Sequence, residues 1–240
     1  MKIMKTTLCF LFAALVVVAV APSAFAETKV PNDIPVGPET GPNCDVEGYK
    51  VERQVFPTPV PIPDAVPAGV VVGPIFLPED GDIIVDTIID LRMSHTWIGD
   101  IIAAVGYDPD CDGPAGFIVA DLLCRPRGTS ASSPPPCGTV AGFGCSADLL
   151  AANTLLYSDE ALAKPADGVC VNPIAPGCYK PSTALEVFRG LRKGGCWYLA
   201  VADNAGADTG AIYEWSVHVR NQRPVPAVPA TMGKIKSIYR

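Results

Sequence analysis

An alternation of apolar and polar side chains runs from Ile89 to Trp97. Successive side chains of an extended chain point to opposite faces, so odd-numbered and even-numbered positions separate. One face then carries Ile89, Leu91, Met93, His95 and Trp97, and the other carries Asp90, Arg92, Ser94 and Thr96. This period of two predicts a half-buried β-strand. A turn is predicted at Ile98-Gly99-Asp100, and a central strand from Ile101 to Tyr107, where both faces are apolar.

Two more alternating segments lie near the carboxyl end of the chain. Trp197, Leu199 and Val201 alternate with Tyr198, Ala200 and Ala202; after a loop, Tyr213, Trp215, Val217 and Val219 alternate with Glu214, Ser216, His218 and Arg220. We expect these segments to form a hairpin of half-buried strands, with His218 facing solvent. Residues 115–180 show no such pattern and are expected to be irregular. Short strands between turn-rich loops predict an all-β jelly-roll sandwich.

The two ends of the chain differ from its middle. Residues 1–26 predict a secretory signal peptide, because two lysines precede a short apolar run and a small-residue cleavage site. The alternative, an uncut membrane anchor, is disfavoured by the length of that run. Residues 27–59 predict a Pro-rich leader or linker, residues 60–221 the folded domain, and residues 222–240 a Pro-rich basic tail. We therefore expect an extracellular or periplasmic protein, with no membrane contact after cleavage.

The cysteines predict a disulfide framework. The chain has 9 Cys, and Cys9 lies in the predicted signal peptide. The others are Cys44, Cys111, Cys124, Cys137, Cys145, Cys170, Cys178 and Cys196. An even number in an exported chain indicates disulfides, but eight cysteines allow 105 pairings, so the connectivity stays open. A zinc site is disfavoured because closely spaced cysteine pairs are missing.

The net charge of the chain limits the kinds of partner that we expect it to bind. The formal net charge is −7, and an acidic surface repels phosphate backbones, so we expect no nucleic acid partner. It suits divalent cations better. Asp108, Asp110, Asp112 and Gly113 form a D-x-D-x-D-G loop of the kind that wraps oxygen ligands around Ca²⁺. The EF-hand pattern fails at Val119, so a calcium loop completed by distant residues and a solvated acidic turn pinned by Cys111 both stay open.

Candidate catalytic motifs are weak. The segment Gly128–Pro134 is close to the subtilisin nucleophile motif, but the prolines that follow forbid the helix that such a serine opens. Asp208-Thr209-Gly210 matches the aspartic-protease triplet, yet a second triplet to share the proton is missing. His95 and His218 are the only candidate bases, and His95 is expected to be a buried structural histidine. We therefore predict no catalytic residues.

Five segments stand in order between residues 60 and 220. They are Ile62-Pro63-Asp64; Ile89 to Ile101, with His95-Thr96-Trp97 and Gly99-Asp100; Leu122 to Pro126 with Gly144 to Leu149; Gly194 to Asp203, with Trp197-Tyr198-Leu199; and Asp208-Thr209-Gly210 to Val217, with Trp215-Ser216. In this order they resemble the P domain (P/Homo B domain) of kexin-type and furin-type proprotein convertases. In that family the domain follows a subtilisin-like catalytic domain and is required for its folding and stability.

The resemblance implies a non-catalytic, disulfide-stapled jelly roll of galactose-binding-like architecture that stabilises or mediates contacts in a proteolysis-related setting. The implied partner is a secreted subtilisin-like protease or another exported protein, and serine endopeptidase activity would come from the family label alone. The resemblance also suggests that the loops carrying Asp100, Asp203 and Asp208 lie at one end of the sandwich, as a second candidate calcium site. Separate turn-capping aspartates are the alternative.

Carbohydrate or surface binding is the rival function. Trp97, Trp197 and Trp215 could form a sugar-stacking platform, since carbohydrate modules share this architecture. All three tryptophans fall on the apolar faces of their predicted strands, which favours packing in the core.

Overall fold

Two β-sheets packed face to face form the fold in the computed structural model, which describes residues 44–113, 117–126, 137, 144–161 and 172–224. The strands are β1 (Lys50–Ile62), β2 (Val70–Leu77), β3 (Ile83–His95), β4 (Ile101–Asp108), β5 (Ile118–Cys124), β6 (Thr154–Tyr157), β7 (Gly177–Tyr179), β8 (Gly195–Asp203) and β9 (Gly210–Gln222). One sheet has five strands in the order β1-β9-β3-β6-β7, and the other has four in the order β2-β8-β4-β5. The predicted all-β, disulfide-stapled sandwich is confirmed.

The core fills the space between the sheets with side chains that alternate inward. Trp197 of β8 and Trp215 of β9 are fully buried there. The ring of Trp197 lies with its centroid 4.8 Å from those of Tyr107 and Phe188. The prediction that the tryptophans pack in the core is confirmed for these two, whereas Trp97, just beyond the end of β3, is only half-buried.

The chain changes sheets in six of the eight connections between the described strands. A short 3-10 helix at Ile98–Asp100 carries it from β3 in one sheet to β4 in the other. Because β4 lies between β8 and β5, the prediction of a central strand is confirmed. The predicted hairpin of β8 and β9 is wrong, since the two strands belong to different sheets. Alternation shows which face of a strand is buried, and in a sandwich the next strand along the chain often lies in the opposite sheet.

A β-bulge in β9 changes its predicted inward face. The register with β3 shifts between the pairs Arg92–Glu214 and Met93–Ile212, which leaves Tyr213 as the extra residue. An extra residue reverses the alternation that follows it. Ile212 is therefore buried in the core while Tyr213 is only partly buried, so the prediction that placed Tyr213 inward is wrong.

The second half of the predicted leader belongs to the sheet. β1 begins at Lys50 and pairs with β9 as far as Val55, then again from Val60, with an irregularity between. Three prolines fall within this strand (Pro57, Pro59 and Pro61). They are tolerated because β1 is an edge strand, where a missing N–H donor breaks no ladder. The domain boundary predicted at residue 60 is therefore corrected to about residue 50.

The segment from 115 to 180 is also more regular than predicted where the structure describes it. It contributes β5, β6 and β7, the last two paired in parallel. The outer edge of β5 is occupied, because the backbone N–H groups of Ser182 and Thr183 donate to the carbonyl oxygens of Leu122 and Asp121 at 3.2 and 3.0 Å. These strands are short, which is why their sequence pattern is weak.

Disulfides join distant parts of the sandwich. Cys44 is bonded to Cys178, Cys111 to Cys196, and Cys124 to Cys137. Cys145 is also disulfide-bonded, and Cys170 lies outside the described residues. The disulfide prediction is confirmed for every described cysteine, and such bonds indicate an oxidising compartment.

Candidate functional site

One end of the sandwich brings His95 together with the loops that follow β3 and β8. His95 is buried, with Nε2 3.2 Å from Asp203 Oδ2 and Nδ1 2.9 Å from the carbonyl oxygen of Trp97. Because β3 and β8 belong to different sheets, the His95–Asp203 contact ties the two sheets at this end. The prediction of a buried, hydrogen-bonded His95 is confirmed.

Asp100 and Asp208 lie beside this pair. Nη2 of Arg125 is 3.4 Å from Asp100 Oδ1, and the Thr96 hydroxyl donates to Asp208 Oδ1 at 2.8 Å. Burial raises the pKa of the Asp100 carboxyl; Arg125 opposes this rise, and the charges of Asp203 and Asp208 add to it. The structure therefore brings the second predicted acidic set into one electrostatic neighbourhood.

Two glycines allow this end to pack closely. A Cβ on Gly210 would lie 2.3 Å from the carbonyl oxygen of Ser94 and 2.5 Å from His95 Cδ2. A Cβ on Gly99 would lie 2.3 Å from the backbone nitrogen of Cys145. Both approaches join segments that are far apart along the chain, so the sequence alone gives no signal for them.

The first predicted acidic set lies at the opposite end of β4. Asp100 precedes this strand and Asp108 ends it, so the length of β4, roughly 25 Å, separates the two sets. The Asp108 carboxylate accepts hydrogen bonds from the backbone N–H groups of Asp110 and Gly113 at 3.1 and 3.0 Å. Asp110 forms an ion pair with Arg192. This end of the strand is an acidic turn in which the carboxylates of Asp108 and Asp110 already have partners, while Asp112 is exposed.

Neither acidic set converges as a metal site in the described part of the chain. No three His, Cys, Asp or Glu side chains are placed there to hold one ion together. At the first end Arg125 lies against Asp100 and His95 against Asp203, and at the second Arg192 lies against Asp110. Calcium would have to replace these contacts. Its binding stays a prediction, which melting experiments can test.

A polar cluster that the sequence analysis missed lies on the outer face of the five-stranded sheet. Asp90 of β3 is paired directly with Ser216 of β9, and His218 follows on the same face. Ser216 Oγ lies 3.2 Å and Asp90 Oδ2 lies 4.0 Å from Nε2 of His218. His218 is only 1% exposed, so the prediction that it faces solvent is wrong.

Charged side chains surround this cluster and account for its burial. Arg53 of β1 stands opposite Ser216, and its guanidinium is 2.9 Å from the Glu214 carboxylate. Arg92 binds the other oxygen of Glu214 at 3.0 Å. We call the six residues the polar face: Arg53, Asp90, Arg92, Glu214, Ser216 and His218. Burial raises the pKa of Asp90 to about 6 and lowers that of His218 to about 4.

The cluster contains the residue types of a serine hydrolase triad in a different arrangement. In a triad the serine and the carboxylate contact opposite nitrogens of the imidazole ring. Here both face Nε2, and His218 Nδ1 has no hydrogen-bond partner. Ser216 is completely buried. The arrangement therefore provides neither a relay nor a nucleophile that a substrate can reach.

The outer face of the four-stranded sheet is apolar. One charged residue, the half-buried Asp121, is paired with Ala104 on this face. Cross-strand pairing places the other residues in adjacent rows that we call the apolar face: Val71, Ala104 and Ala200; Gly106, Val119 and Tyr198; and Phe76 at the edge. Phe76 is 61% exposed and Val119 50%. The ring of Phe117 stacks on that of Tyr198, with centroids 4.8 Å apart. Phe76, Val119 and Val71 are exposed to solvent on this face, and Phe117 and Tyr198 are partly exposed.

Two small hollows adjoin near the start of β3, with volumes of about 90 and 160 Å³. Both are lined by Asp86 and Glu160. The Asp86 carboxylate already accepts hydrogen bonds from the Tyr49 hydroxyl at 2.5 Å and from Arg220 at 3.1 Å. The hollows are smaller than the usual pockets for small molecules.

Some predictions lie outside the described residues: the signal peptide at 1–26, the first part of the leader, the Gly128–Pro134 motif, and the tail from residue 225. In the described part, no helix has the length and apolar character needed to cross a membrane. No family model and no curated protein matches the chain.

Proposed function

We propose that this chain is a secreted, non-catalytic module of the P/Homo B type that stabilises or mediates the contacts of another exported protein. The proposed setting is proteolysis, with a secreted subtilisin-like protease as the partner. The observation that carries the proposal is the apolar face, which exposes Phe76, Val119 and Val71 on the outside of the four-stranded sheet. Exposed apolar surface of this kind marks sites of contact between proteins.

The segments that resemble the P domain also meet in space, which supports the family part of the proposal. The segment from Ile89 to Ile101 contains His95 at the end of β3, the segment from Gly194 to Asp203 ends β8 at Asp203, and these two side chains are in buried contact. Another segment carries Asp208, which accepts a hydrogen bond from Thr96 next to His95 at an exposed position. Three of the segments that resemble the family thus contact one another at one end of the sandwich.

The test of a stabilising function uses the purified mature chain and the catalytic domain of a secreted subtilisin-like protease from the same source. We expect the chain to slow the thermal loss of peptidase activity. A ligand that binds only the native protease at a hundred times its Kd stabilises it by about 2.7 kcal/mol. Equal rates of inactivation with and without the chain would contradict the proposal.

A matched pair of substitutions locates the contact. Val119→Ser changes the apolar face at a residue that is 50% exposed, and Val55→Ser changes the opposite sheet at one that is 54% exposed. We expect only Val119→Ser to weaken the protection of the protease. Similar losses in both variants would reject the apolar face as the contact surface.

Carbohydrate binding is a second candidate, favoured by one observation. The predicted tryptophan platform is not at the surface, because Trp197 and Trp215 are buried. Phe117 and Tyr198 instead place two stacked rings on the apolar face. Binding to a panel of glycans that Tyr198→Ala abolishes and Val55→Ser leaves unchanged would favour this function over protein contact.

The proposal also requires that the chain has no hydrolase activity. We expect no labelling by a fluorophosphonate, and we expect Ser130→Ala, Asp208→Asn and Ser216→Ala to leave any trace peptidase signal unchanged. Labelling of the pure chain that is lost in one of these variants would show an intrinsic nucleophile and contradict the proposal.

A further inference from the structure

The buried cluster of the polar face contains a carboxylic acid and an imidazole base close together. Asp90 is 7% exposed and His218 is 1% exposed, and their side chains approach to 4.0 Å. Burial disfavours the charged form of either group, so it favours a protonated carboxyl and a neutral imidazole. Burial therefore raises the pKa of Asp90 above its ordinary value and lowers the pKa of His218 below its ordinary value.

The surroundings of the pair contain further charges. The titratable and charged groups that face it are Arg53 from β1, Arg92 and Asp86 from β3, and Glu214 and Arg220 from β9. The acids among them are held in ion pairs: Glu214 with Arg53 and Arg92, and Asp86 with Arg220. Asp90 and His218 have only the distant 4.0 Å contact with each other and the Ser216 hydroxyl between them. Burial is accordingly the main influence on both.

We propose that Asp90 and His218 are a compensating pair, in which the carboxyl group takes up on folding the proton that the imidazole gives up. In the unfolded chain, at mildly acidic pH, His218 is protonated and Asp90 is ionised. In the folded sandwich the proton is on Asp90 and both side chains are neutral. The number of bound protons stays the same, so this pair makes no net contribution to the pH dependence of folding.

The two contributions have opposite signs. Burial lowers the pKa of His218 from 6.5 to about 4, so its unfolded state binds more protons and stability rises with pH through that range. Burial raises the pKa of Asp90 from 3.8 to about 6, so its folded state binds more protons and stability falls with pH through nearly the same range. The two slopes cancel between about pH 4 and pH 6.

Neutral substitutions separate the two slopes. The experiment measures urea unfolding of the mature chain, Asp90→Asn and His218→Gln at half-unit steps from pH 4 to pH 6. We expect the unfolding constant of Asp90→Asn, divided by that of the unchanged chain, to fall up to about tenfold per pH unit. The same ratio for His218→Gln should rise by a similar factor, and the double variant should show a ratio that does not change with pH.

A control variant and a second measurement provide further tests of the proposal. Val55→Ser changes an exposed side chain that has no titratable group and should give a ratio that is flat with pH. Ratios for Asp90→Asn or His218→Gln that are flat as well would overturn the proposal. If either variant fails to fold, an NMR titration of the His218 ring in the unchanged chain decides, because a midpoint near the ordinary value of 6.5 would also overturn it.

Discussion

The centre of the outer face of the five-stranded sheet is covered by its own side chains, whereas the outer face of the four-stranded sheet exposes apolar side chains to solvent. In that centre Ile88, Ser216 and His218 are each at most 1% exposed, although Val55 of the edge strand β1 is 54% exposed. On the apolar face, Phe76 is 61% and Val119 50% exposed. Polar side chains are therefore buried at the centre of one outer face, while large apolar side chains are exposed on the other.

The reason for this difference is the length of the side chains. Arg53, Arg92 and Glu214 are long enough to reach across neighbouring strands and are held in place by mutual ion pairs. Long charged side chains can bury apolar surface under their methylene groups while their charged ends stay hydrated. Ala104, Gly106 and Ala200 have no such reach. The centre of one outer face is thus covered by side chains of its own sheet. The other outer face keeps its apolar side chains exposed to solvent.

Removing the disulfide at the rim of the apolar face should have the largest effect. Cys111 and Cys196 are 85 residues apart in sequence, so their bond restricts the unfolded chain by roughly 4–5 kcal/mol in the entropic model. We expect the double substitution to serine to lower the free energy of unfolding by about this amount in urea titrations. A loss below about 1 kcal/mol would show that the sheet holds its geometry without the bond.

Truncation of one apolar side chain on each face tests the comparison directly. Ile88→Ala should cost about 2–4 kcal/mol, because it empties a buried position. Phe76→Ala should cost less than about 1 kcal/mol, because its ring is mostly in solvent. Chemical denaturation of both variants measures the difference. Equal costs would mean that the apolar face is as well packed as the polar one.

Calcium would act at an end of the sandwich, away from both faces. If millimolar Ca²⁺ exceeds Kd a hundredfold, it should stabilise the chain by about 2.7 kcal/mol and raise Tm by a few degrees. Asp203→Asn should abolish the shift if the His95 end holds the ion, and Asp110→Asn if the Asp108 loop does. Melting curves that coincide in calcium and in chelator would leave the aspartates as turn formers.

Removing the shared acid of the polar face should have the smallest effect. Glu214→Gln leaves Arg53 and Arg92 without the carboxylate that joins them, and both guanidinium groups are partly exposed. We expect a loss of about 1 kcal/mol, which should shrink further in high salt because partly exposed ion pairs are screened. A loss that is large and independent of salt would show that the ion pairs hold the cluster more tightly than their exposure implies.

The long alternating strands could be predicted from the sequence, because one face of each packs against the core. β4, β8, most of β9 and the second half of β3 lie where the pattern places them, whereas β3 begins at Ile83, six residues before the predicted start. The bulge at Tyr213 and the sheet to which each strand belongs could not be predicted, since both depend on the neighbouring strand. β1 was missed because its prolines indicate a linker unless the strand is known to lie at an edge.

The functional residues also divide into those that could be predicted from the sequence and those that could not. The burial of His95 could be predicted from its place on the apolar face of β3, and the grouping of Asp100, Asp203 and Asp208 was implied by the family resemblance. The Asp90–Ser216–His218 cluster could not, since the three residues fall on the side of their strands that the pattern assigns to solvent. The signal that could have indicated it is the pairing of β3 with β9, which places Asp90 opposite Ser216.

The bond between Cys44 and Cys178 sets the path that mechanical force would take through the molecule. β1 and β9 are antiparallel neighbours, with Lys50 opposite Val219, so the chain enters and leaves the sheet at the same end. A pull on both ends would otherwise peel β1 away from β9, one hydrogen bond after another. The disulfide instead passes the load from Cys44 to β7, at the far edge of the sheet. Tension is then shared between the β1–β9 pairing and a second path through β7, β6 and β3.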